Sequence, residues 1–145
     1  MKYLLDASAL LPLVTGHGKR LIAEASHENL ITTDLAIYEA CNSLWKLAAL
    51  LKSISLEDAL VVAVTLKDLV ARNFIQSIGF TSLDFSQTLK RSYEEHLTFY
   101  DASYISIAES TGAVLVTEDE ELWKAASKFV KAMTCSDFEK KIVSI

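Results

Sequence analysis

The chain has 145 residues, which is the size of one ordinary domain, and 51% of them are apolar. That composition excludes wholesale disorder because it supports a sizeable core. The formal net charge of −5 disfavours a nucleic-acid binder that relies on a general basic field, but it is compatible with an acidic site that recruits a metal ion. No signal peptide pattern opens the chain, and the longest apolar run, 59–64, is too short to cross a membrane. We therefore expect one soluble cytoplasmic domain over 1–145.

The predicted elements alternate between strands and helices along the chain. The strands are predicted at 3–6, 30–33, 80–83, 113–117 and 130–134. The helices are predicted at 7–13, 19–27, 34–51, 56–72, 85–97, 101–110 and 118–128 and from 136 onward. One proline and four glycines also favour long helices over an all-β fold. This alternation predicts an α/β fold, with parallel strands joined by right-handed crossovers and helices on both faces of the sheet.

The helix after the second strand carries a pattern of apolar residues. Ile37, Cys41, Leu44, Ala48 and Leu51 recur at steps of three and four, which predicts one apolar stripe along that helix. The two cysteines of the chain, Cys41 and Cys135, form neither a disulfide framework nor a zinc site, so we expect both to be buried.

Four carboxylates are predicted to meet at one edge of the sheet. Asp6 ends the first strand, Asp119 follows the strand at 113–117, and Asp101 and Glu39 lie near the starts of helices. Ligands of such sheets bind outside the carboxyl ends of the strands. Oxygen ligands alone favour Mg²⁺ or Mn²⁺, which can support phosphoryl transfer by activating water. The sequence therefore predicts an acidic metal site.

Each carboxylate also has a plain structural explanation. Asp101 can be a helix N-cap, and Asp119 can be a first-turn acid beside a capping Thr117. Glu39 shares a polar strip with Asn42, which can be solvated surface. Asp6 is hardest to explain in this way, because a charge that closes a buried strand needs partners.

Four segments, in order, resemble the four sequence motifs of PIN domains. They are 2–10 around Asp6, 37–46 with Glu39 followed by Asn42, 99–104 around Asp101, and 115–122, where Thr117 and Asp119 fit the pattern Thr-x-Asp-x-x-Leu. The order and spacing match over nearly the whole chain. The resemblance implies a three-layer α/β/α sandwich with a parallel sheet of about five strands in the order 3-2-1-4-5.

The resemblance also implies an activity and its residues. PIN domains are typically Mg²⁺- or Mn²⁺-dependent ribonucleases, and cleavage would leave a 5′-phosphate. Asp6, Glu39, Asp101 and Asp119 would bind the metal, and Ser8, Thr117 and Asn42 would support the site. The acidic run 118–121 leaves open which of its side chains faces the metal. Small single-domain members resemble VapC-type toxins, which form homodimers and are inhibited by an antitoxin protein.

The resemblance favours an endoribonuclease toxin that acts on RNA. Within the PIN family the alternatives are an RNA-processing or RNA-decay nuclease without an antitoxin and a non-catalytic binding scaffold. A haloacid-dehalogenase-like phosphatase would need a second acid at Ser8, and a response-regulator receiver would need an acid adjoining Asp6. The sequence has no glycine-rich phosphate loop, which excludes a P-loop nucleotide hydrolase.

Two further surfaces follow from the sequence. The best candidates for phosphate contact are Lys19, Arg20, Lys46, Lys90 and Arg91. The apolar segment 47–70 exceeds what one small core requires, so we expect part of it to form a dimer interface or an antitoxin groove.

Overall fold

Five parallel strands form the central sheet of the computed structural model, which describes residues 1–16, 25 and 28–143. They are β1 (Lys2–Leu5), β2 (Asn29–Thr33), β3 (Gln76–Ile78), β4 (Val114–Val116) and β5 (Ala132–Met133). Their order is β3-β2-β1-β4-β5, and every neighbouring pair is parallel. The expected fold class and strand order are confirmed, and the central strand β1 ends directly before Asp6.

Seven α-helices flank this sheet in the described part of the chain. They are α1 (Ala7–Gly16), α2 (Asp34–Trp45), α3 (Leu56–Ala71), α4 (Phe85–Glu95), α5 (Phe99–Thr111), α6 (Glu120–Ala126) and α7 (Cys135–Val143). Helix α1 packs with α2, α3 and α7, whereas α4 pairs with α5, which in turn contacts β1 and β4. The helix predicted at 19–27 falls, apart from Ala25, outside the described residues. No helix of the described ranges has both the length and the hydropathy required to cross a membrane.

Side-chain caps fix where several helices begin. The hydroxyls of Thr33 and Ser55 accept backbone N–H groups at the starts of α2 and α3, and Asp84 does the same for α4. Helix α5 begins at Phe99, two residues before the predicted start, because Thr98 caps it by accepting the N–H of Asp101. Asp101 is therefore free of a capping role, and its side chain is available to the site.

One expectation about the elements was wrong, and another differs from the structure in the type of helix. The third strand is not at 80–83, where the chain makes a 3₁₀ turn, but at Gln76–Ile78. This edge strand is short and only partly buried, so it lacks the apolar run by which buried strands are recognised. The helix predicted to reach Leu51 stays α-helical only to Trp45 and continues as a π-helical stretch, Lys46–Leu50.

The buried face of α2 also differs from the predicted stripe. Its buried residues are Ala36, Ala40 and Leu44, whereas Cys41 and Leu51 are exposed. Small alanines allow the helix to approach its neighbours closely. The expectation that both cysteines are buried therefore holds for Cys135 and fails for Cys41.

Arg91 is a structural residue of the α4–α5 pair. It is 9% exposed, and its guanidinium donates to the Glu109 carboxylate at 3.0 Å and to the Ser106 hydroxyl at 3.3 Å. The same group lies 4.5 Å from the centre of the Phe129 ring. Because these contacts within the protein occupy the guanidinium, the structure does not support the expected phosphate contact at Arg91. Lys19 and Arg20 lie outside the described residues.

An apolar stripe on α3 remains uncovered. Leu56, Leu60, Val61 and Val64 are between 54% and 66% exposed. They recur at steps of four, one and three residues, so they share one side of the helix. Leu50 and Leu51, which precede the helix, are also exposed. We call Leu56, Leu60, Val61 and Val64 the α3 stripe. The α3 stripe lies within segment 47–70, whose contribution to an interface stays a prediction.

Candidate metal-binding active site

Asp6 is the buried carboxylate at the carboxyl end of β1. Its side chain is 3% exposed, and both of its oxygens have partners. Oδ1 accepts the Ser8 hydroxyl at 2.7 Å and the Ala9 N–H at 2.9 Å, and Oδ2 accepts the Thr117 hydroxyl. Burial raises the pKa of Asp6 to about 6; these hydrogen bonds oppose the rise, and the nearby charge of Asp119 adds to it.

The neighbouring strand β4 completes the surroundings of Asp6. The hydroxyl oxygens of Ser8 and Thr117 lie 3.2 Å apart. Each also accepts a backbone N–H of the following loop, from Glu118 to Ser8 at 2.8 Å and from Asp119 to Thr117 at 3.0 Å. Because β1 and β4 are adjacent, these two hydroxyls tie the ends of both strands together and hold the carboxylate in one orientation.

Asp119 and Glu118, both within the acidic run 118–121, have different roles. Asp119 lines the cleft that Asp6 faces and caps α6 by accepting the N–H groups of Glu121 and Leu122. Glu118 instead accepts the N–H of Cys135 at 2.6 Å, at the start of α7. The geometry thus places Asp119 toward the other acids and uses Glu118 to anchor α7.

Asp101 and Glu39 approach the same cleft from α5 and α2. The pKa of Asp101 is raised, first by burial and then by the charges of Asp119 and Glu39. Glu39 is partly buried and accepts the Tyr104 hydroxyl at 2.7 Å. Tyr104 is 3% exposed.

Tyr104 is a residue that the sequence interpretation missed. It lies three residues after Asp101, a spacing that puts both on one side of α5. Burial raises the pKa of the Tyr104 hydroxyl, and the adjacent Glu39 carboxylate raises it further, so the phenol stays protonated and donates. The signal available in the sequence was this spacing, but an aromatic residue in a buried helix is more often simply core.

The four predicted acids line one cleft of about 1300 Å³. Ser8 and Asn42 also line it, while Thr117 lies behind Asp6. The described lining contains five carboxylates, from Asp6, Glu39, Asp58, Asp101 and Asp119, and one cationic side chain, from Lys46. Such crowding of carboxylates favours a bound cation, which offsets their charge.

The oxygen donors of the cleft suit a metal ion, but they are spaced more widely than one bound ion requires. The acidic donors are all carboxylate oxygens, which is the set that a hard divalent cation takes. The Asp6 carboxylate accepts three hydrogen bonds, which occupy three of its about four lone-pair positions and leave one for an ion. Among residues 1–16, 25 and 28–143, however, no three acidic, histidine or cysteine side chains stand close enough together to ligate one ion.

Comparison with known proteins identifies the family. The PIN domain profile matches residues 3–128, and the chain belongs to the PIN-domain family. It is similar to Exonuclease VapC9 of Pyrobaculum aerophilum, at 39% identity over 84% of each chain. It is also similar to Ribonuclease VapC3 of the same organism, at 32% identity over 92% of this chain and 99% of the relative.

Solved structures agree with the fold. PAE2754 from Pyrobaculum aerophilum superposes with a TM-score of 0.76 at 32% identity, with all of both chains covered. A structure of VapBC2 from Rickettsia felis bound to a DNA fragment from their promoter matches with a TM-score of 0.62, over 92% of this chain and 98% of that one. At 14% identity, this second likeness concerns the fold alone.

Proposed function

We propose that the protein is a metal-dependent ribonuclease that hydrolyses phosphodiester bonds within RNA. The observation that carries this proposal is that four acids from separate segments line one cleft: Asp6, Glu39, Asp101 and Asp119. Among the residues that the structure describes, Lys46 is the one cationic side chain that lines this cleft. The names of its two curated relatives, an exonuclease and a ribonuclease, support a nuclease. A cleft of about 1300 Å³ exceeds the roughly 300–1,000 Å³ of small-molecule sites and suits a polymer strand.

Asp6, Glu39, Asp101 and Asp119 would hold Mg²⁺ or Mn²⁺. When bound, the ion supplies a Lewis acid that neutralises phosphate charge and makes water nucleophilic at neutral pH. Because no three donors are close enough as they stand, the partly exposed carboxylates must approach one another on binding. Asp6 is the fixed member of the set, since Ser8 and Thr117 hold it.

Two residues of the cleft would orient the RNA substrate. Lys46 is the one described cation of the cleft and would contact a phosphate, while Asn42 on the same helix would offer a neutral hydrogen-bonding group. Without a cation the carboxylates repel the RNA backbone. RNA binding is therefore expected to depend on the divalent ion.

We further infer that the protein is the toxin of a toxin–antitoxin pair and acts as a homodimer. The VapC names of its relatives support the first statement. The exposed α3 stripe supports the second, because contiguous apolar surface of this kind marks interaction sites.

The test of the proposed function is cleavage of a randomised RNA pool. We expect the wild-type protein with Mn²⁺ to cleave linear and circular pools, because an enzyme that acts within the strand needs no free end. Asp101→Asn is expected to lower cleavage at least about 100-fold, as for the loss of a group that stabilises developing charge. Glu94→Gln, an exposed acid outside the cleft, is the matched control. Cleavage of the linear pool alone would contradict endonuclease action, and full activity of Asp101→Asn would contradict the site.

Tyr104→Phe tests how Glu39 is held. Loss of the hydroxyl frees the Glu39 carboxylate, and we expect the Mn²⁺ affinity to fall by about 10–100-fold, the usual effect of removing a group that orients a ligand. Titration calorimetry measures this directly. In a Glu39→Gln background the same change is expected to have no further effect, because the two residues act through one contact. An equal loss of Mn²⁺ affinity in both backgrounds would contradict the role of Tyr104 in holding Glu39. Tyr93→Phe, which removes the hydroxyl of an exposed tyrosine, is the control.

A further inference from the structure

A second, smaller cavity lies beside the acidic cleft. Its volume is about 220 Å³, and it lies between the start of α2, the turn after β3 and the start of α5. The aromatic rings that line it come from Phe80, Phe85, Phe99 and Tyr100. Phe85 contacts two of the others, with ring centres 6.4 Å from Phe80 and 6.0 Å from Phe99. We call this space the aromatic cavity.

The aromatic residues of this cavity are not explained by the core. Phe80 is 71% exposed, and Phe85 and Tyr100 are both more than half exposed. Three large aromatic side chains that stay accessible around one cavity favour a planar ligand, because every nucleic-acid base offers a face for stacking.

The aromatic cavity adjoins the acidic cleft. Tyr100 and Leu35 line both spaces. Tyr100 directly precedes Asp101 at the start of α5. A strand whose phosphate lay in the acidic cleft near Asp101 would therefore have the aromatic cavity within reach of an adjacent base.

Asp34 is the charged side chain of the cavity, and a carboxylate accepts hydrogen bonds without donating any. The Thr33 oxygen already accepts the Ala36 N–H, and the Ser103 hydroxyl donates to the Tyr100 carbonyl. Asp34 accepts the Ser77 hydroxyl through Oδ1. Its Oδ2 lies 3.4 Å from where a side chain at Gly79 would begin, so the glycine leaves the approach to this oxygen open.

We propose that the aromatic cavity binds one unpaired RNA base next to the cleaved phosphodiester and prefers bases with an exocyclic amine over uracil. The proposal rests on the proposed ribonuclease function. Stacking on Phe80 and its neighbours supplies affinity for any base. Asp34 supplies the preference, because its carboxylate accepts the amine hydrogens of adenine, cytosine or guanine, whereas the N3–H donor of uracil lies between two carbonyl oxygens that repel a carboxylate. The volume is below the roughly 300 Å³ at which pockets admit a drug-sized ligand, which suits a base alone.

The test uses short single-stranded RNA of one base type. Phosphorothioate-linked oligonucleotides of adenine, cytosine or uracil, with a fluorescent end label, are titrated with protein in Mn²⁺ and followed by anisotropy. We expect the wild type to bind the adenine and cytosine strands at least about fivefold more tightly than the uracil strand. Phe80→Ala is expected to weaken adenine and cytosine binding at least about fivefold, the lower limit for losing one stacked base.

Two variants separate the contributions. Asp34→Asn keeps the side-chain shape but puts a donor in place of a carboxylate oxygen, so the preference over uracil is expected to disappear. Tyr93→Ala removes an aromatic ring that is 83% exposed on α4 and lines neither space, so it is expected to change nothing.

The outcomes separate this proposal from the proposed function. Cleavage of the randomised pool with binding that Phe80→Ala leaves unchanged would overturn the base site and leave the ribonuclease intact. Phe80-dependent binding without cleavage by the wild type would support the base site and reject the nuclease. Equal binding of all three strands by the wild type would overturn the stated preference. If Phe80→Ala weakened only the association of a protein partner, the cavity would be a protein-docking surface and the proposal would be wrong.

Discussion

Asp6→Asn is expected to make the metal-free protein more stable and at the same time to abolish cation binding. The wild-type carboxylate is 3% exposed, and its pKa is about 6 in the folded state against an ordinary value of 3.8. Between these two values the folded protein binds more protons than the unfolded chain, so wild-type stability falls as the pH rises through this window. Asparagine removes the buried charge, keeps the shape, and can still accept from Ser8 and donate to Thr117.

The expected change in the free energy of unfolding follows from the same shift in the pKa of Asp6. A shift of about two pKa units corresponds to about 2–3 kcal/mol, so at neutral pH Asp6→Asn should unfold with a free energy higher by about that amount. Near pH 4 the advantage should vanish, because the wild-type carboxyl is then protonated. The Mn²⁺ affinity should fall at least about 100-fold, beyond the range for groups that only orient a ligand.

Thermal and denaturant unfolding, with and without Mn²⁺, measure both effects. The wild type should gain stability from the ion by mass action at neutral pH and lose that gain as the pH falls below about 6. Asp6→Asn should gain none at any pH. Glu94→Gln is the control for loss of one exposed negative charge. A variant that is less stable than the wild type at neutral pH without metal would contradict the cost assigned to this buried charge.

Leu60→Glu is expected to dissociate the homodimer that we propose. Leu60 lies within the α3 stripe and is 54% exposed. A carboxylate placed inside an apolar contact must be desolvated without a partner. We expect the dimer dissociation constant to rise at least about 30-fold, which corresponds to the roughly 2 kcal/mol that defines a central interface residue.

Sedimentation equilibrium of the wild type and variant measures this change. Leu89→Glu makes the same substitution at a leucine that is 62% exposed on α4, and it is expected to leave the dimer intact. Circular dichroism of each variant shows whether it folds. If the wild type were a monomer at micromolar concentration, the homodimer would be wrong, and the α3 stripe would be available to an antitoxin instead.

The fold was largely accessible from the sequence because its signals are local. The continuous apolar run of β1 and the run at 113–117 predict buried parallel strands, and Thr33, Ser55 and Gly112 mark helix ends by the conformations they favour. The edge strand β3 was missed, since a short half-buried strand at the rim of a sheet needs no apolar pattern. The stripe on α2 was misassigned because its buried residues are small alanines.

The convergence of the four acids could also be predicted, because parallel strands bring their carboxyl ends to one edge whatever the details of packing. The sequence by itself therefore determined the fold class, the family and which carboxylates share a cleft. Only the tertiary structure decided how they are held. It turned Glu118 toward α7 and Asp119 toward the cleft, and it joined Tyr104 to Glu39 across two helices. Such contacts depend on the relative placement of elements far apart in the chain, which no local pattern encodes.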